Sequence, residues 1–222
     1  MAGLKNCRWR KRDNYGMKKL FDTIASLIGL ALFAPLIIAV GIAIKITSPG
    51  PVFYRGTRTG LHGNPFKIYK FRTMVDNAEK MGGPSTAHND KRLTRLGRIL
   101  RKYKIDELPQ LINILKGEVS FVGPRPQVEK YTKLYNGEEK IMLSVRPGLT
   151  DYASIRFINL DKILGDKDAD LIYMREIEPE KNRLRIKYVR EQSFETDMKI
   201  ILLTLLQMLK IKSLWKTKDQ AI

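Results

Sequence analysis

Asp22-Thr23-Ile24-Ala25-Ser26-Leu27-Ile28-Gly29-Leu30-Ala31-Leu32-Phe33-Ala34-Pro35-Leu36-Ile37-Ile38-Ala39-Val40-Gly41-Ile42-Ala43-Ile44-Lys45 decides how this chain is built. Residues 23–44 carry no charge, and as a helix they would be about 33 Å long, enough to cross a bilayer core. The run is too long for a signal peptide, and no small-residue cleavage site follows it. Pro35 interrupts it near the middle, removing the bond to the Ala31 carbonyl. Both flanks are basic: Arg8, Arg10, Lys11, Arg12, Lys18 and Lys19 before it, Lys45, Arg55, Arg58, Lys67, Lys70 and Arg72 after it. A single span cannot keep two basic flanks on the cytoplasmic side. A re-entrant hairpin can, with arms of about 18 Å and 14 Å on either side of Pro35. The competing reading is an ordinary kinked span.

Working outward, the chain has 222 residues, 41 Lys and Arg against 23 Asp and Glu, and a net charge of +18. That balance asks for an anionic partner: nucleic acid, an acidic membrane surface or a phosphorylated substrate. A lone Cys7 excludes an internal disulfide and a cysteine zinc site. His62 and His88 are too few and too far apart for a metal cluster. The expected organisation is α+β. A basic segment over 1–16 leads into a proline-broken re-entrant membrane helix over 17–45. A small mixed cytoplasmic domain follows over 46–190, with a β-hairpin and amphipathic interfacial helices. A C-terminal amphipathic helix and tail occupy 191–222.

Ser48-Pro49-Gly50-Pro51 makes a rigid exit from the membrane segment. Residues 52–58 and 66–74 read as strands joined by a turn at Gly60, Gly63, Asn64 and Pro65. Lys70 and Arg72 share a strand face, either solvated or touching phosphate. Residues 76–89 read as a mobile polar loop. Asp90 looks like the N-cap of a basic amphipathic helix over 91–103. That helix suits either an anionic membrane surface or a core with one solvated side. In the last helix Met198, Ile201, Leu202, Leu205, Leu206 and Leu209 share a face. Lys210, Lys212, Trp215 and Lys216 then suit a membrane interface, with a plain terminal core helix as the competitor.

The acidic pair Asp106-Glu107 follows the basic segment from Arg101 to Lys104, just before a short helix that Pro109 opens and Gly117 closes. Near a helix N-terminus a carboxylate is stabilised as an anion. In a turn, one carboxylate can attack phosphorus while both hold Mg²⁺ against a diphosphate. Asp106 as a plain helix N-cap explains the pair equally well. Gly123-Pro124-Arg125-Pro126 fixes an arginine between prolines, suited to bidentate phosphate binding. Val145-Arg146-Pro147-Gly148 repeats the device, with Pro147 and Gly148 expected at the centre of a type II turn.

These motifs, with Ser48-Pro49-Gly50-Pro51-Val52-Phe53, the segment from Lys67 to Met74, Asp106-Glu107-Leu108-Pro109-Gln110-Leu111, Asn113, Lys116-Gly117 and the segments from Ser120 to Pro126 and Val145 to Thr150, stand in one order across nearly the whole chain. The chain resembles the monotopic phosphoglycosyl transferases, the bacterial sugar transferases that act on polyprenol phosphate. The resemblance implies an enzyme of the bacterial inner membrane facing the cytoplasm. Asp106 would attack the β-phosphate of a UDP-sugar, UMP would leave, and polyprenol phosphate (undecaprenyl phosphate above all) would take up the phosphosugar. Glu107 would be a base and metal neighbour, and Pro35 the membrane break. Lys70, Arg72, Arg125 and Arg146 would bind phosphate, and Mg²⁺ would be the cofactor. The expected partners are the two substrates and anionic membrane lipid, without nucleic acid. A homodimer is admitted but not required. Two departures stand out. Ala34 precedes Pro35 where many members have serine, and Asp151-Tyr152-Ala153-Ser154-Ile155-Arg156-Phe157 replaces a Gly-Leu-Ala-Gln type segment that bears on the sugar. With no membrane bundle before residue 17, a minimal catalytic form is expected. The other readings are a membrane-tethered binder of nucleic acid or anionic lipid, and an ordinary glycosyltransferase releasing UDP.

Overall fold

The computed structural model describes residues 2–81, 90–158, 171 and 173–209. The first element, α1, is one helix over Ala2–Thr47 with Pro35 inside it. The two arms expected around Pro35 thus belong to a single helical run. A proline deletes one helical hydrogen bond and leaves the rest of the ladder standing. Between Lys18 and Ile44 one side of α1 packs on the remainder of the protein. Lys18, Asp22, Ser26, Val40 and Ile44 are buried. Leu20, Ile24, Leu27, Ile28, Leu32, Ile38, Ile42 and Ile46 are exposed. The helix from Tyr15 to Thr47 is long and apolar enough to cross a membrane.

After the Ser48-Pro49-Gly50 exit, where Gly50 adopts φ 110°, the expected hairpin forms in two pieces. Strand β1 (Phe53–Tyr54) pairs antiparallel with β4 (Lys70–Phe71), and β2 (Thr57–Thr59) with β3 (Pro65–Lys67). Ile68 N donates to Gly56 O across the interruption at 3.1 Å. Helix α2 covers Arg95–Lys102, shorter than expected, and its N-cap is Thr94, whose hydroxyl accepts from Gly97 N at 2.8 Å. Asp90 does not cap it. Its carboxylate accepts instead from Arg92 N, Nε and Nη2. Residues 91 and 92 form a turn closed by Leu93 N on Asp90 O at 3.1 Å, and Leu93 then bridges Met74, so the helix starts only after Thr94.

A 3-10 turn over Ile105–Gln110 runs into α3 (Leu111–Leu115), and Gly117 at φ 75° ends it, as its position after the helix predicts. Strands β5 (Ser120–Val122) and β6 (Gly148–Thr150) pair in parallel, Ser120 with Gly148 and Val122 with Thr150. Between them lies α4 (Glu129–Thr132), and after them α5 (Tyr152–Arg156). The type II turn expected at Pro147-Gly148 is absent: Gly148 has no positive φ and opens β6. Its missing side chain serves a close approach. A Cβ there would lie 2.6 Å from Gly123 Cα, and one on Gly123 would lie 2.9 Å from Gly148 N.

Helices α6 (Glu178–Glu191) and α7 (Phe194–Met208) complete the fold. Val122, Ile155, Tyr188, Val189 and Ile200 form one core cluster, so both helices share a core with β5. A second cluster joins Phe66 and Ile68 to Leu111, Ile114 and Val119, with Leu30 of α1 against it. A third joins Val40 and Ile44 of α1 to Phe71 and Leu100. On α7 the buried positions are Asp197 and Ile200, whereas Leu202, Leu205 and Met208, and Leu209 just after it, are exposed. Part of the expected apolar stripe is therefore open. His88, most of the 76–89 loop, and Lys210, Lys212, Trp215 and Lys216 lie outside the described residues.

Candidate active site

Lys104 takes a left-handed backbone, φ 57°, and so swings the chain out of α2 into the 3-10 turn. Asp106 and Glu107 fall in its first turn and meet different surroundings. Glu107 Oε1 accepts a hydrogen bond from Lys70 Nζ at 2.8 Å and another from Arg125 Nη2. Both are ion pairs in partly buried surroundings. Burial alone would raise the Glu107 carboxyl, but the Arg125 and Lys70 charges outweigh it and hold the group well below the usual carboxylate range. No hydrogen bond reaches Oε2 among the described residues. Asp106 is 7% exposed, and its Oδ1 is buried without a hydrogen-bond partner. Burial first, then the Glu107 charge, push its carboxyl up, against the opposing pull of Lys70, Arg101 and Lys104.

The frame that brings these groups together is built from buried polar bonds. Asn113, fully buried, accepts from Tyr69 N at 2.8 Å and donates to Lys67 O at 3.0 Å and Glu118 Oε2 at 2.7 Å. It thereby docks the hairpin on α3 and sets Lys70 opposite Glu107. Arg125 is fixed at both ends. Its backbone N donates to Asp151 Oδ2 at 3.1 Å, and its Nη1 to Leu149 O at 3.1 Å. The glycine contact between β5 and β6 permits this, because it brings the segment after Arg146 against the loop that carries Arg125.

Of the residues expected in the site, Asp106, Glu107, Lys70 and Arg125 converge. Arg72 does not join them. It is buried, and its Nη1 and Nη2 donate to Pro49 O and Ser48 O, clamping the exit from α1. Two positions before it, Lys70 reaches Glu107, so the two cations are spent on different elements. Arg146 places its guanidinium 5.0 Å from the Tyr15 ring on α1, with Gly117 beside it. Three contributors carry no sequence signal of their own. Asn113 lies in a motif without a role to mark it, Asp151 reads as a departure, and Arg101 reads as one cation among many. Arg101 Nε donates to Thr73 Oγ1 at 2.9 Å, on the Asp106 side of the site.

Among the described residues no three His, Cys, Asp or Glu side chains gather as a metal cluster. The pair nevertheless fits a hard cation: Glu107 Oε2 is a carboxylate oxygen that no donor among the described residues engages, and the Asp106 carboxylate stands in the same turn. Mg²⁺ characteristically takes one or two carboxylates and completes its shell with water and substrate phosphate.

The bacterial sugar transferase family model matches residues 13–211. The sugar transferase EpsL of Bacillus subtilis is 37% identical over 201 residues, covering 90% of this chain and 91% of that protein. The UDP-glucose:undecaprenyl-phosphate glucose-1-phosphate transferase of Caulobacter vibrioides is 39% identical over 190 residues, covering 84% and 67%. The Escherichia coli protein of the same name is 36% identical over 195 residues, covering 85% of this chain and 39% of its own length. With nearly its whole length matched, the acidic pair and the Pro-Arg-Pro loop included, this chain belongs to the bacterial sugar transferase family, the polyprenol-phosphate phosphoglycosyl transferases.

Proposed function

We propose that this protein transfers a sugar phosphate from a UDP-sugar to undecaprenyl phosphate or a related polyprenol phosphate, releasing UMP, through a phosphosugar bound to Asp106. The supporting observation is the buried, unpartnered Oδ1 of Asp106 beside a glutamate locked by two cations. An ionised carboxylate oxygen free of donors is a competent nucleophile. In the first step Asp106 forms a bond to the β-phosphorus, the bond from that phosphorus to the oxygen bridging the α-phosphate breaks, and UMP leaves with the bridging oxygen. In the second, a phosphate oxygen of the polyprenol attacks the same phosphorus and the Asp106 carboxylate departs. The product is a polyprenol diphosphate sugar. Lys70 and Arg125 hold Glu107 and offer remaining N–H groups to substrate phosphate; Arg101 adds positive charge beside Asp106. A bound Mg²⁺, held by Glu107 and by the Asp106 carboxylate oxygen that does not attack, would neutralise charge on the diphosphate.

The contacts of α1 support a helix that enters and leaves on one side of the membrane. Lys18 donates to Val122 O at 2.9 Å and pairs with Asp197, while Val40 and Ile44 pack on Phe71 and Leu100. Along a straight helix those ends would be about 39 Å apart, more than the roughly 30 Å hydrocarbon thickness. A helix crossing upright would drag parts of one globular domain to opposite sides of the bilayer. The basic flanks assign that single side to the cytoplasm. Exposed Arg95, Arg98, Lys102, Ile99 and Tyr103 on and beside α2 suit an anionic lipid surface.

The test is a UMP-release screen over UDP-sugars with undecaprenyl phosphate. UMP as product, with a phosphosugar mass on the Asp106 peptide when UDP-sugar is given alone, is expected. Asp106→Asn should lose both. Release of UDP would make the protein an ordinary glycosyltransferase.

A further inference from the structure

We propose that Asp151 and the buried Arg185 form a positioning pair that holds the Pro124-Arg125-Pro126 loop from behind and so sets where Arg125 meets Glu107. The inference rests on the phosphoglycosyl transfer reading of the site. It brings α6, which among the described residues sends no hydrogen bond to Asp106 or Glu107, into the active-site apparatus.

Arg185 is 1% exposed. Its Nη1 donates to Glu178 Oε1 at 3.0 Å and Asn182 Oδ1 at 2.8 Å, both on its own helix. The Gln127 amide oxygen, turned toward it, accepts from the same guanidinium. Nε lies 3.9 Å from Asp151 Oδ2. Arg185 therefore engages residues that control both sides of Arg125. Gln127 follows it by two positions and is itself tied by its carbonyl to Thr59 N at 2.9 Å. Asp151 divides its two oxygens. Oδ1 caps α5 by accepting from Ser154 N at 2.6 Å, and Oδ2 accepts from Arg125 N at 3.1 Å.

Stability alone does not call for this arrangement. Burying a guanidinium costs several kcal/mol in desolvation, and apolar packing of similar volume commonly serves as well or better. What the charges supply is a fixed geometry. Arg125 meets Glu107 through a single guanidinium nitrogen, Nη2, while Nη1 is held by Leu149 O. A shift of the loop by about 1 Å breaks that meeting, and displacements of this size cost up to about a hundredfold in rate.

Asp151→Asn is the discriminating variant. Asparagine is as good an N-cap as aspartate, so α5 keeps its cap. The second oxygen becomes an NH₂ that cannot accept from Arg125 N. The rate of phosphosugar adduct formation on Asp106 should fall at least tenfold, and hydrogen exchange at the Arg125 amide should rise at least tenfold while the amides of α5 keep their protection. A merely structural role would loosen α5 and Arg125 together and leave the rate per folded molecule unchanged. Arg185→Lys keeps the charge but not the fork and should lower the adduct rate at least fivefold; it is the second measurement should Asp151→Asn fold poorly. A rate within twofold of wild type in either folded variant overturns the proposal. If wild type releases UMP from no UDP-sugar, the functional reading fails, and the exchange result at Arg125 alone decides the positioning pair: unchanged exchange overturns it.

Discussion

Replacing Glu107 with glutamine removes the anion shared by Lys70 and Arg125 and leaves the shape almost unchanged. Taking one partner from a fully buried ion pair costs about 3–5 kcal/mol. Here the side chains of Glu107, Lys70 and Arg125 are 17%, 20% and 34% exposed, so water screens part of the effect. The glutamine oxygen also keeps one acceptor. About 2 kcal/mol is the resulting expectation, or roughly 4–8 °C in the melting midpoint for a chain of this size. The effect has a pH signature. The Glu107 carboxyl sits below the ordinary glutamate value of 4.5 in the folded protein, so its contribution is complete above the unfolded pKa and is lost as pH falls through the lower folded value. The gap between wild type and Glu107→Gln should be full near pH 7 and begin to shrink below about pH 4.5. Melting curves of both proteins in the same detergent, at one scan rate, from about pH 7 to about pH 4, measure it. UMP release should fall about a hundredfold, the usual scale for removing a positioned charge from a site. Equal midpoints at neutral pH, or a gap that widens as the solution is acidified, would refute the claim that Glu107 is held ionised by its two cations.

Gly148→Ala should destabilise by about 3 kcal/mol or more, because its Cβ would meet Gly123 backbone that cannot retreat; Gly63→Ala, at φ 82° in open space, should cost only about 1 kcal/mol, and melting of the pair compares them. Activity should vanish in excess EDTA and return with Mg²⁺; full turnover after metal removal would exclude a divalent cation from the site. Single cysteines near Lys5 and near Ser48, in a Cys7→Ser background, should both resist an impermeant thiol reagent outside intact cells and react once the cytoplasm is opened. Labelling of the Lys5 site from outside would establish a true transmembrane helix.

Strong local chemistry makes some elements legible from the amino acids alone. Residues 23–44 read as a helix long and apolar enough to cross a membrane, the glycines around Asn64 announce a hairpin, and Gly117 marks the end of α3. Other expectations fail where a tertiary contact overrides a local preference. Asp90 has the chemistry of an N-cap, but a turn at 91–92 and the Met74–Leu93 bridge follow it, so Thr94 takes the role. Pro147-Gly148 has the composition of a type II turn, but parallel pairing with β5 claims Gly148 for a strand. Strand periodicity puts Lys70 and Arg72 together, yet the strand ends at Phe71 and the two side chains serve Glu107 and the α1 exit. The roles of Asp151 and Arg185 are not legible in the sequence, because their partners meet only through the packing of α5 and α6 behind the loop.

The contrast between the two neighbouring carboxylates explains why an acidic pair sits in so basic a segment. Adjacent groups with like charge would ordinarily disfavour each other's ionisation, and the tendency is visible in Asp106, raised by burial and by Glu107. Glu107 escapes it because two cations converge on one of its oxygens. Environments that push two titratable groups apart assign them different work. Glu107 is the fixed charge that holds Lys70 and Arg125 in place. In the proposed mechanism Asp106, buried and with an oxygen that no described residue engages, is the group that reacts. Its ionised form must still be reachable, and the opposing charges of Lys70, Arg101 and Lys104 pull in that direction. Were those cations replaced by neutral residues, nothing would oppose the upward push on the Asp106 carboxyl; were Asp106 itself paired with one of them, the oxygen that now lacks a partner would be engaged. Nearby but unbonded positive charge avoids both outcomes, and a basic helix leading through a left-handed Lys104 into the turn supplies it.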